Sequence, residues 1–332
     1  MIGSANGRRI GITGLGANVP ERVFTNKDLE QYVDTTDEWI VERTGIRERR
    51  FATKEEALTD IAAPAAVAAM ADAGVEAASI DLIVVATVTP DMMFPTSSAL
   101  LADSLGMPDA AAYDLLAGCT GFMYAIAQAY SMVSSGLSKR ALVVGGDVLS
   151  KILDWTDRST LVLFGDGAGA VVVEPVDEGG FLGFELGADG GGGTNLWLPG
   201  SGSRHFEDAD KLVKMNGREV FKFATRVMVS SARKVLDECG LTVDDVDVYV
   251  PHQANRRIID HAAGKLGIPE EKVVVNVDRY GNTSSGSIPL ALADAAADGR
   301  LRDGELVLMT GMGAGLTWGS ALIEWNQRGV AA

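Results

Sequence analysis

Cysteine is scarce: the 332 residues hold two, Cys119 and Cys239. That excludes a disulfide framework and fits a reducing compartment. Histidine is scarce as well. His205, His252 and His261 are the three in the chain, and neither Cys-x-x-Cys nor His-x-x-x-His occurs, so no structural zinc is expected. Positive charge is outnumbered. The formal net charge is −16, which argues against nucleic acid as a partner, because phosphate binding needs clustered cations. Long apolar runs are missing too. Leu82–Val88 and Ala168–Val173 fall far short of the ~20 residues a membrane span needs. No positively charged leader with an apolar stretch and a small-residue cleavage site is found. The expectation is a cytoplasmic protein with no membrane anchor, no metal and no nucleic-acid partner.

What is present is a globular composition, 47% hydrophobic and 22% charged, at a length that suits two units of about 150 residues each. Short β-branched runs alternate with alanine-rich helical stretches. Strands are predicted at Leu82–Val88, Ala141–Val144, Ala170–Val173, Val246–Val250, Val273–Val277 and Glu305–Met309. Helices are predicted at Asp60–Ala73, Gly121–Ser135, Gly217–Asp237 and Pro289–Ala297. Such alternation implies right-handed crossovers and mostly parallel sheets.

The chain also repeats itself once. Ala73-Gly74 stands before Asp81 and a strand, as Cys239-Gly240 stands before Asp247 and a strand; the two glycines lie 166 residues apart. Gly118-Cys119-Thr120 matches Gly281-Asn282-Thr283 at an offset of 163, and each is followed by a glycine seventeen residues after Cys119 or Asn282. A common offset near half the length implies a duplicated α/β unit with halves 1–175 and 176–332. No charged residue occurs between Thr120 and Ser138 or between Thr283 and Ala293. A helix with no polar face is buried on all sides, so these two helices are expected to form a central layer between two sheets. Asp189–Gly193 and Pro199–Ser203 read as flexible loops.

Cys119 and Asn282 then sit at equivalent helix N-termini. A thiol in that position meets backbone N–H groups and the positive end of the helix dipole, which favour the thiolate. His252, in Pro251-His252-Gln253-Ala254-Asn255, follows a strand, where ligands gather in α/β sheets. Each residue alone reads more simply, as a buried cysteine, a hydrogen-bonded histidine and a helix cap. Cys239, His205 and His261 are given those simple readings. Gly14-Leu15-Gly16 lacks the third glycine of a dinucleotide loop, and Gly165-Asp166-Gly167-Ala168-Gly169 lacks the Lys-Ser/Thr of a phosphate loop. Gly311-Met312-Gly313-Ala314-Gly315 follows a strand and can bring backbone N–H groups to a reacting carbonyl.

Taken together these stretches resemble the β-ketoacyl-acyl-carrier-protein synthase III family, condensing enzymes of the thiolase fold. The resemblance spans nearly the whole chain. It is carried by Asp37-Glu38-Trp39-Ile40 through Arg43-Thr44-Gly45-Ile46-Arg47, Ala117-Gly118-Cys119-Thr120-Gly121-Phe122, Phe164-Gly165-Asp166-Gly167-Ala168-Gly169-Ala170, Pro251-His252-Gln253-Ala254-Asn255 and Gly281-Asn282-Thr283-Ser284. It implies an α/β thiolase-like fold of five layers, αβαβα. It also implies a two-stage reaction. Cys119 takes an acyl group from acyl-CoA. Malonyl-carrier protein then loses carbon dioxide, and the carbanion attacks the acyl group. His252 and Asn282 stabilise the charge of decarboxylation, and the N–H groups of Cys119 and Ala314 hold the acyl oxyanion. Many relatives have glycine where Ala314 stands, which puts the local backbone angle in question.

The same resemblance assigns coenzyme A contacts. Trp39 and Arg158 sandwich the adenine with Thr35 and Arg43 nearby, while Gly217, Phe221 and Asn255 line the pantetheine channel. Coenzyme A is thus a substrate carrier and no resident cofactor is implied. The loop Pro90–Ser98, with Phe94, is expected to shape the acyl pocket at a homodimer interface. From Lys211 to Leu236 seven basic residues face one acid. Arg218, Lys222 and Arg226 recur every four residues along one helical face, and Arg256 and Arg257 extend the patch. In the family the positions of Lys222 and Arg257 help dock the acidic carrier protein.

Papain-like proteases also order Cys, His and Asn, with a Cys–His gap of about 130–150 residues, and the gap here is 133. Those enzymes, however, carry Trp after the cysteine motif and use disulfides. A non-catalytic partner subunit would lose the cysteine, and a thiolase would need a second catalytic cysteine at position 282. The nearest alternative is a related Cys-His-Asn condensing enzyme that starts polyketides or joins acyl-CoAs head to head.

Overall fold

The structure is a computed structural model, and it describes residues 7–200, 202–203 and 210–326. Two sheets dominate it. The first holds β1 (Arg9–Asn18), β2 (Leu82–Ala86), β3 (Ala111–Leu115), β4 (Ala141–Asp147) and β5 (Gly167–Val176), in the order β1-β5-β4-β2-β3. The second holds β6 (Gly180–Ala188), β7 (Val248–Pro251), β8 (Leu306–Gly313) and β9 (Thr317–Glu324), in the order β7-β8-β9-β6. Seven helices of eight residues or more accompany them: α1 (Asp37–Thr44), α2 (Leu58–Ala73), α3 (Ser97–Ser104), α4 (Gly121–Ser135), α5 (Gly217–Cys239), α6 (Arg256–Leu266) and α7 (Ser287–Ala297).

Alternation along each strand builds the layers. In β2, Leu82, Val84 and Ala86 face a core formed with α4 and α7, while Ile83 and Val85 face α2 and α3. In β8, Val307 and Met309 join that same central core, and Leu308 faces α5 and α6. The order is therefore α2/α3, first sheet, α4/α7, second sheet, α5/α6: five layers, αβαβα, as the resemblance implies. The two helices without charge lie in the middle. Phe122 of α4 is fully buried, and truncating such a side chain to alanine costs about 3–5 kcal/mol.

The helix limits follow local chemistry. Asn216 caps α5 by accepting the N–H of Glu219. The helices α2, α4 and α5 end at Gly74, Gly136 and Gly240, each left-handed with φ of 66°, 79° and 70°, a conformation that glycine adopts without a Cβ penalty.

Two expectations are corrected. The sheets are mixed rather than mostly parallel. Only β2–β3, β2–β4 and β7–β8 pair in parallel, whereas β1–β5, β4–β5, β8–β9 and β6–β9 are antiparallel. Hydrophobic pattern reveals a buried strand but not its direction, and β3, β6 and β9 were not among the predicted strands. Nor is Val273–Val277 a strand. Val273 makes a single bridge to Tyr249. After that, the Gln253 Oε1 accepts the N–H groups of Asn276 and Val277, the donors a neighbouring strand would need. Asp189–Gly193 is ordered by a turn in which the Asp189 carboxylate accepts the Gly191 N–H; within Pro199–Ser203, Ser201 lies outside the described residues. Among the described residues no helix is long and apolar enough to cross a membrane.

Candidate active site

Cys119 sits in a 3-10 turn, Gly118–Thr120, that leads from the end of β3 into α4. The turn is pressed against the loop after β8. A Cβ on Gly118 would stand 2.8 Å from the backbone N of Ala314, and one on Gly313 would stand 2.5 Å from the backbone N of Cys119. Glycine at both places is what lets the two backbones meet. Gly118 also has φ of 59°. The N–H groups of Cys119 and Ala314 are thus brought beside the thiol, where both pull its pKa down. The question of alanine at 314 is answered by the strain falling elsewhere. Gly315 takes φ of 140°, while Ala314 is not at positive φ.

Cys119 is buried, yet it lines a cavity of about 930 Å3, within the range of small-molecule sites. Leu58, Val88, Leu149, Ile152 and Leu198 form part of its apolar wall. Burial sets the thiol's acidity. It pushes the pKa up to about 11, and the nearby Asp147 adds to the rise; the Ser284 hydroxyl and the two N–H groups offset part of it. The expectation that the helix N-terminus favours the thiolate is therefore overridden in the free protein. Desolvation of a charge outweighs a terminal dipole worth about 0.3–1 kcal/mol.

The segment Gly281–Ser287 joins the three expected residues. Asn282 is fixed through its backbone, donating to Leu163 O at 2.9 Å and accepting from Gly165 N at 3.0 Å. Its side-chain Oδ1 accepts the Ser284 N–H at 2.8 Å, which turns the amide so that the Nδ2 donors are left for a ligand. Ser284 is the only non-glycine among the described residues at positive φ, 53°. Its buried hydroxyl faces the Cys119 thiol without closing a regular hydrogen bond. The Ser284–Gly286 turn packs directly on the Gly118–Thr120 turn. Ser285 is tied to the far side by Asp147, whose carboxylate accepts its N–H and hydroxyl along with those of Thr89, the Val88 N–H and the Thr87 hydroxyl.

His252 follows β7 and is 1% exposed. Its N–H donates to Thr310 O on β8 at 2.7 Å. The ring Nδ1 meets the Ser287 hydroxyl at 2.5 Å, and Nε2 is buried with no hydrogen-bond partner. Burial drops the ring's pKa from its usual value to about 3, so the imidazole is neutral throughout the physiological range. A protonated thiol and a neutral imidazole are the opposite of the thiolate–imidazolium pair a papain-like enzyme needs.

The remaining expected residues lie elsewhere. Trp39 and Arg43 are on α1, and the Arg158 guanidinium carbon stands 4.6 Å from the Trp39 ring centroid. Arg158 also donates to Asp34 O at 2.7 Å. No aromatic ring fits between Trp39 and Arg158 at that separation, so a sandwiched base requires Arg158 to swing outward. Thr35 keeps a buried hydroxyl with no partner. Asn255 Nδ2 donates to Arg43 O, and Arg257 lies 5.5 Å from the Phe221 ring centroid. Gly217 begins α5. None of these lines the Cys119 cavity. Neither does Phe94, which is 82% exposed, whereas Met92 and Met93 of the same loop do line it. On the basic face Lys222 is exposed and reaches Glu219 only at 3.9 Å. Arg256 is held by Asp260 and Glu270 at 2.6 and 2.7 Å, which takes it out of the patch that Arg257 continues. Cys239 is half-buried, His261 is exposed on α6, and His205 lies outside the described residues.

Sequence reasoning missed Asp147, Ser284 and Ser287. Ser284 and Ser287 lie in the uncharged stretch already noted, but no local pattern marks a serine as a partner of a residue thirty-five positions away.

Comparison with known proteins agrees with this geometry. The family model for 3-oxoacyl-[acyl-carrier-protein] synthase III matches residues 113–190, and that for the synthase III C terminal matches residues 236–325. A β-ketoacyl-[acyl-carrier-protein] synthase III of Symbiobacterium thermophilum is 54% identical, over 96% of this chain and 99% of its own. One of Desulfitobacterium hafniense is 52% identical, over 97% and 99%. The crystal structure of the Thermus thermophilus synthase III superposes with a TM-score of 0.90 at 50% identity, over 96% of this chain and 99% of that one.

Proposed function

The chain belongs to the 3-oxoacyl-[acyl-carrier-protein] synthase III family, and from that premise we propose how its residues divide the reaction. Its activity is that of a condensing acyltransferase, a β-ketoacyl-[acyl-carrier-protein] synthase III of fatty acid biosynthesis, which sets aside the polyketide-starter and head-to-head readings. Cys119 attacks the thioester of an acyl-CoA, and coenzyme A leaves with the proton. The cavity receives the acyl chain, and the N–H groups of Cys119 and Ala314 hold the carbonyl oxygen as it becomes an oxyanion. Malonyl-carrier protein then binds and loses carbon dioxide. The negative charge that develops on its thioester oxygen is met by His252 Nε2 and Asn282 Nδ2, and the carbanion attacks the acyl carbonyl. The product is a 3-oxoacyl-carrier protein, and Cys119 is regenerated.

The observation that carries this reading is the pair of donors left open. The His252 Nε2 is buried with no partner; Asn282, on the segment packed against the Cys119 turn, has its Oδ1 occupied by the Ser284 N–H, and Ser287 of that same segment meets the His252 ring. Leaving a buried donor unpaired costs about 1–3 kcal/mol, a cost relieved when an oxyanion arrives. The test is to supply acyl-CoA and malonyl-carrier protein and follow carbon dioxide and the 3-oxoacyl product. Acyl-CoA hydrolysis without condensation would contradict it.

No resident cofactor or metal is needed in this scheme; coenzyme A arrives and leaves as part of the substrate. Trp39 and Arg158 are read as the adenine site. Trp39→Ala and Arg158→Ala are each expected to raise the KM for acyl-CoA while leaving that for malonyl-carrier protein nearly unchanged. Because Arg158 must leave the Trp39 face before adenine can stack there, the loss should be larger for Trp39. Equal effects on both substrates in steady-state kinetics would argue for structural roles.

Lys222 and Arg257 are read as a docking site for an acidic carrier protein. Their exposure, the +6 balance of Lys211–Leu236 and the stacking of Arg257 near Phe221 support this. The double variant Lys222→Glu with Arg257→Glu is expected to raise the KM for malonyl-carrier protein and to flatten its salt dependence, with acyl transfer from coenzyme A intact. An unchanged KM would rule the patch out.

The protein is further read as a cytoplasmic homodimer. The exposed Met92, Met93 and Phe94 support an interface in which a second copy's loop closes the acyl cavity. The division into halves 1–175 and 176–332 is supported by the strand content of the two sheets, which changes over between Val176 and Gly180.

A further inference from the structure

We infer that Ser287 is a positioning residue for the decarboxylation step: its hydroxyl locks His252 in the tautomer that carries the proton on Nε2. Ser287 is 2% exposed and His252 1%, so both are shut off from bulk solvent. The Ser287 oxygen has two neighbours. One is the backbone N–H of Gln253 at 3.3 Å, which can only donate. The other is His252 Nδ1 at 2.5 Å. A hydroxyl has one proton to give and lone pairs to receive.

Consider the two tautomers. If Nδ1 carried the proton, Ser287 would accept twice, from Nδ1 and from Gln253, and its own proton would have no acceptor. A buried donor would be orphaned on Ser287. At the same time Nε2 would present a lone pair to the site, which repels an oxyanion. If Nε2 carries the proton, Ser287 accepts from Gln253 and donates to Nδ1. Every group is then satisfied except Nε2–H, which is the donor the reaction uses. Buried polar groups are almost always paired, so the second arrangement is the one the structure assigns. The single unpaired donor falls where substrate charge develops. The neutral state of the ring, held by its burial, is consistent with this but does not choose between the nitrogens; Ser287 does.

The position of Ser287 in the fold makes the lock rigid. It is the first residue of α7, and the turn before it packs on the Cys119 turn. Gln253, next to His252, is itself fixed by donating to Pro251 O and Val274 O and accepting from Asn276 and Val277. The Gln253 N–H therefore stays in place to occupy the Ser287 lone pair. Sequence separation is thirty-five residues for the His–Ser contact, so the pairing exists only in the folded protein.

The inference rests on the reading of His252 as an oxyanion donor, and the test separates the two. Protein labelled with 15N-histidine has three histidines to resolve, and a His252→Gln variant assigns the signal of interest. Long-range 1H–15N correlations distinguish the tautomers without any substrate. His252 is expected wholly in the Nε2–H form in the unaltered protein, and in a mixed or Nδ1–H form in Ser287→Ala. Malonyl decarboxylation by Ser287→Ala is expected to fall roughly 10- to 100-fold, with acylation of Cys119 unchanged as the measure of intact folding. Ser287→Thr, which keeps the hydroxyl, is expected to restore the tautomer and most of the rate. An Nδ1–H form in the unaltered protein, or an Nε2–H form that persists undiminished in Ser287→Ala, would overturn the inference. If instead the tautomer shifts as expected but His252→Ala decarboxylates normally, it is the catalytic reading of His252 that fails.

Discussion

Asn282→Ala is expected to release carbon dioxide from malonyl-carrier protein roughly 10²-fold or more slowly than the unaltered enzyme, the scale of losing one oxyanion donor. That corresponds to about 2.7 kcal/mol of transition-state stabilisation. His252→Ala is expected to lose a similar factor. In the proposed division of the reaction the two side chains act on charge that exists only as the carbon–carbon bond to carbon dioxide breaks, so the loss should fall on the rate of that step. Asn282→Ala should still accept an acyl group on Cys119, because the acyl oxyanion is held by backbone N–H groups that the substitution leaves in place. Carbon dioxide release and protein acylation, measured separately on each variant, decide this. An Asn282→Ala enzyme that decarboxylates normally and fails only in acylation would reverse the assigned roles. The pH dependence adds a sign. His252 has its pKa depressed by burial to about 3, so the neutral donor persists from pH 8 down to pH 5. Decarboxylation should not fall through that window with a midpoint near 6.5, as it would if an unperturbed histidine had to stay neutral.

The turns that carry Cys119 and Asn282 were legible in the sequence because their signals are local, while the roles proposed for Cys119, His252 and Asn282 came from the family resemblance. Gly118-Cys119-Thr120 and Gly281-Asn282-Thr283 announce sharp turns before uncharged helices, and a helix without a polar face has to be central. Those two helices and the repeat gave a central layer between two sheets; the full five-layer order was what the family resemblance implied. What was not legible depends on contacts between distant segments. Strand direction is one example: β5 and β9 look like any buried strand, and only their neighbours make them antiparallel. Val273–Val277 has the residues of a strand, yet Gln253 takes the N–H groups its ladder would use. Arg256 reads as part of a basic patch until Asp260 and Glu270 are seen to hold it.

The acidity of the nucleophile shows the same division. Sequence position puts Cys119 at a helix start, which favours the thiolate, while the fold buries it and sets Asp147 nearby, which favours the thiol. Burial wins and pushes the thiol pKa up to about 11. A raised pKa means little thiolate at neutral pH and more with each step upward, so alkylation of Cys119 by iodoacetamide should climb about tenfold per pH unit between pH 7 and 9 without levelling off. A plateau below pH 8 would show that the thiolate is already formed there. On the proposed reading, turnover at neutral pH then depends on substrate binding and on the N–H groups of Cys119 and Ala314, which stabilise charge as it forms rather than beforehand.

Cys119→Ala removes the atom to which the acyl group is joined, and its expected effect is the largest of all: no acyl-enzyme and no condensation product. The protein should otherwise fold, since the substitution takes away only one sulfur atom. The measurement that bears most directly on the whole scheme is therefore the intact mass of the unaltered protein and of Cys119→Ala after incubation with acyl-CoA alone, followed by peptide mapping. The unaltered chain should gain the mass of one acyl group, located on Cys119 and discharged when malonyl-carrier protein is added, and Cys119→Ala should gain none. An acyl group that persists in Cys119→Ala, or that stays on Cys119 when malonyl-carrier protein arrives, would contradict the account.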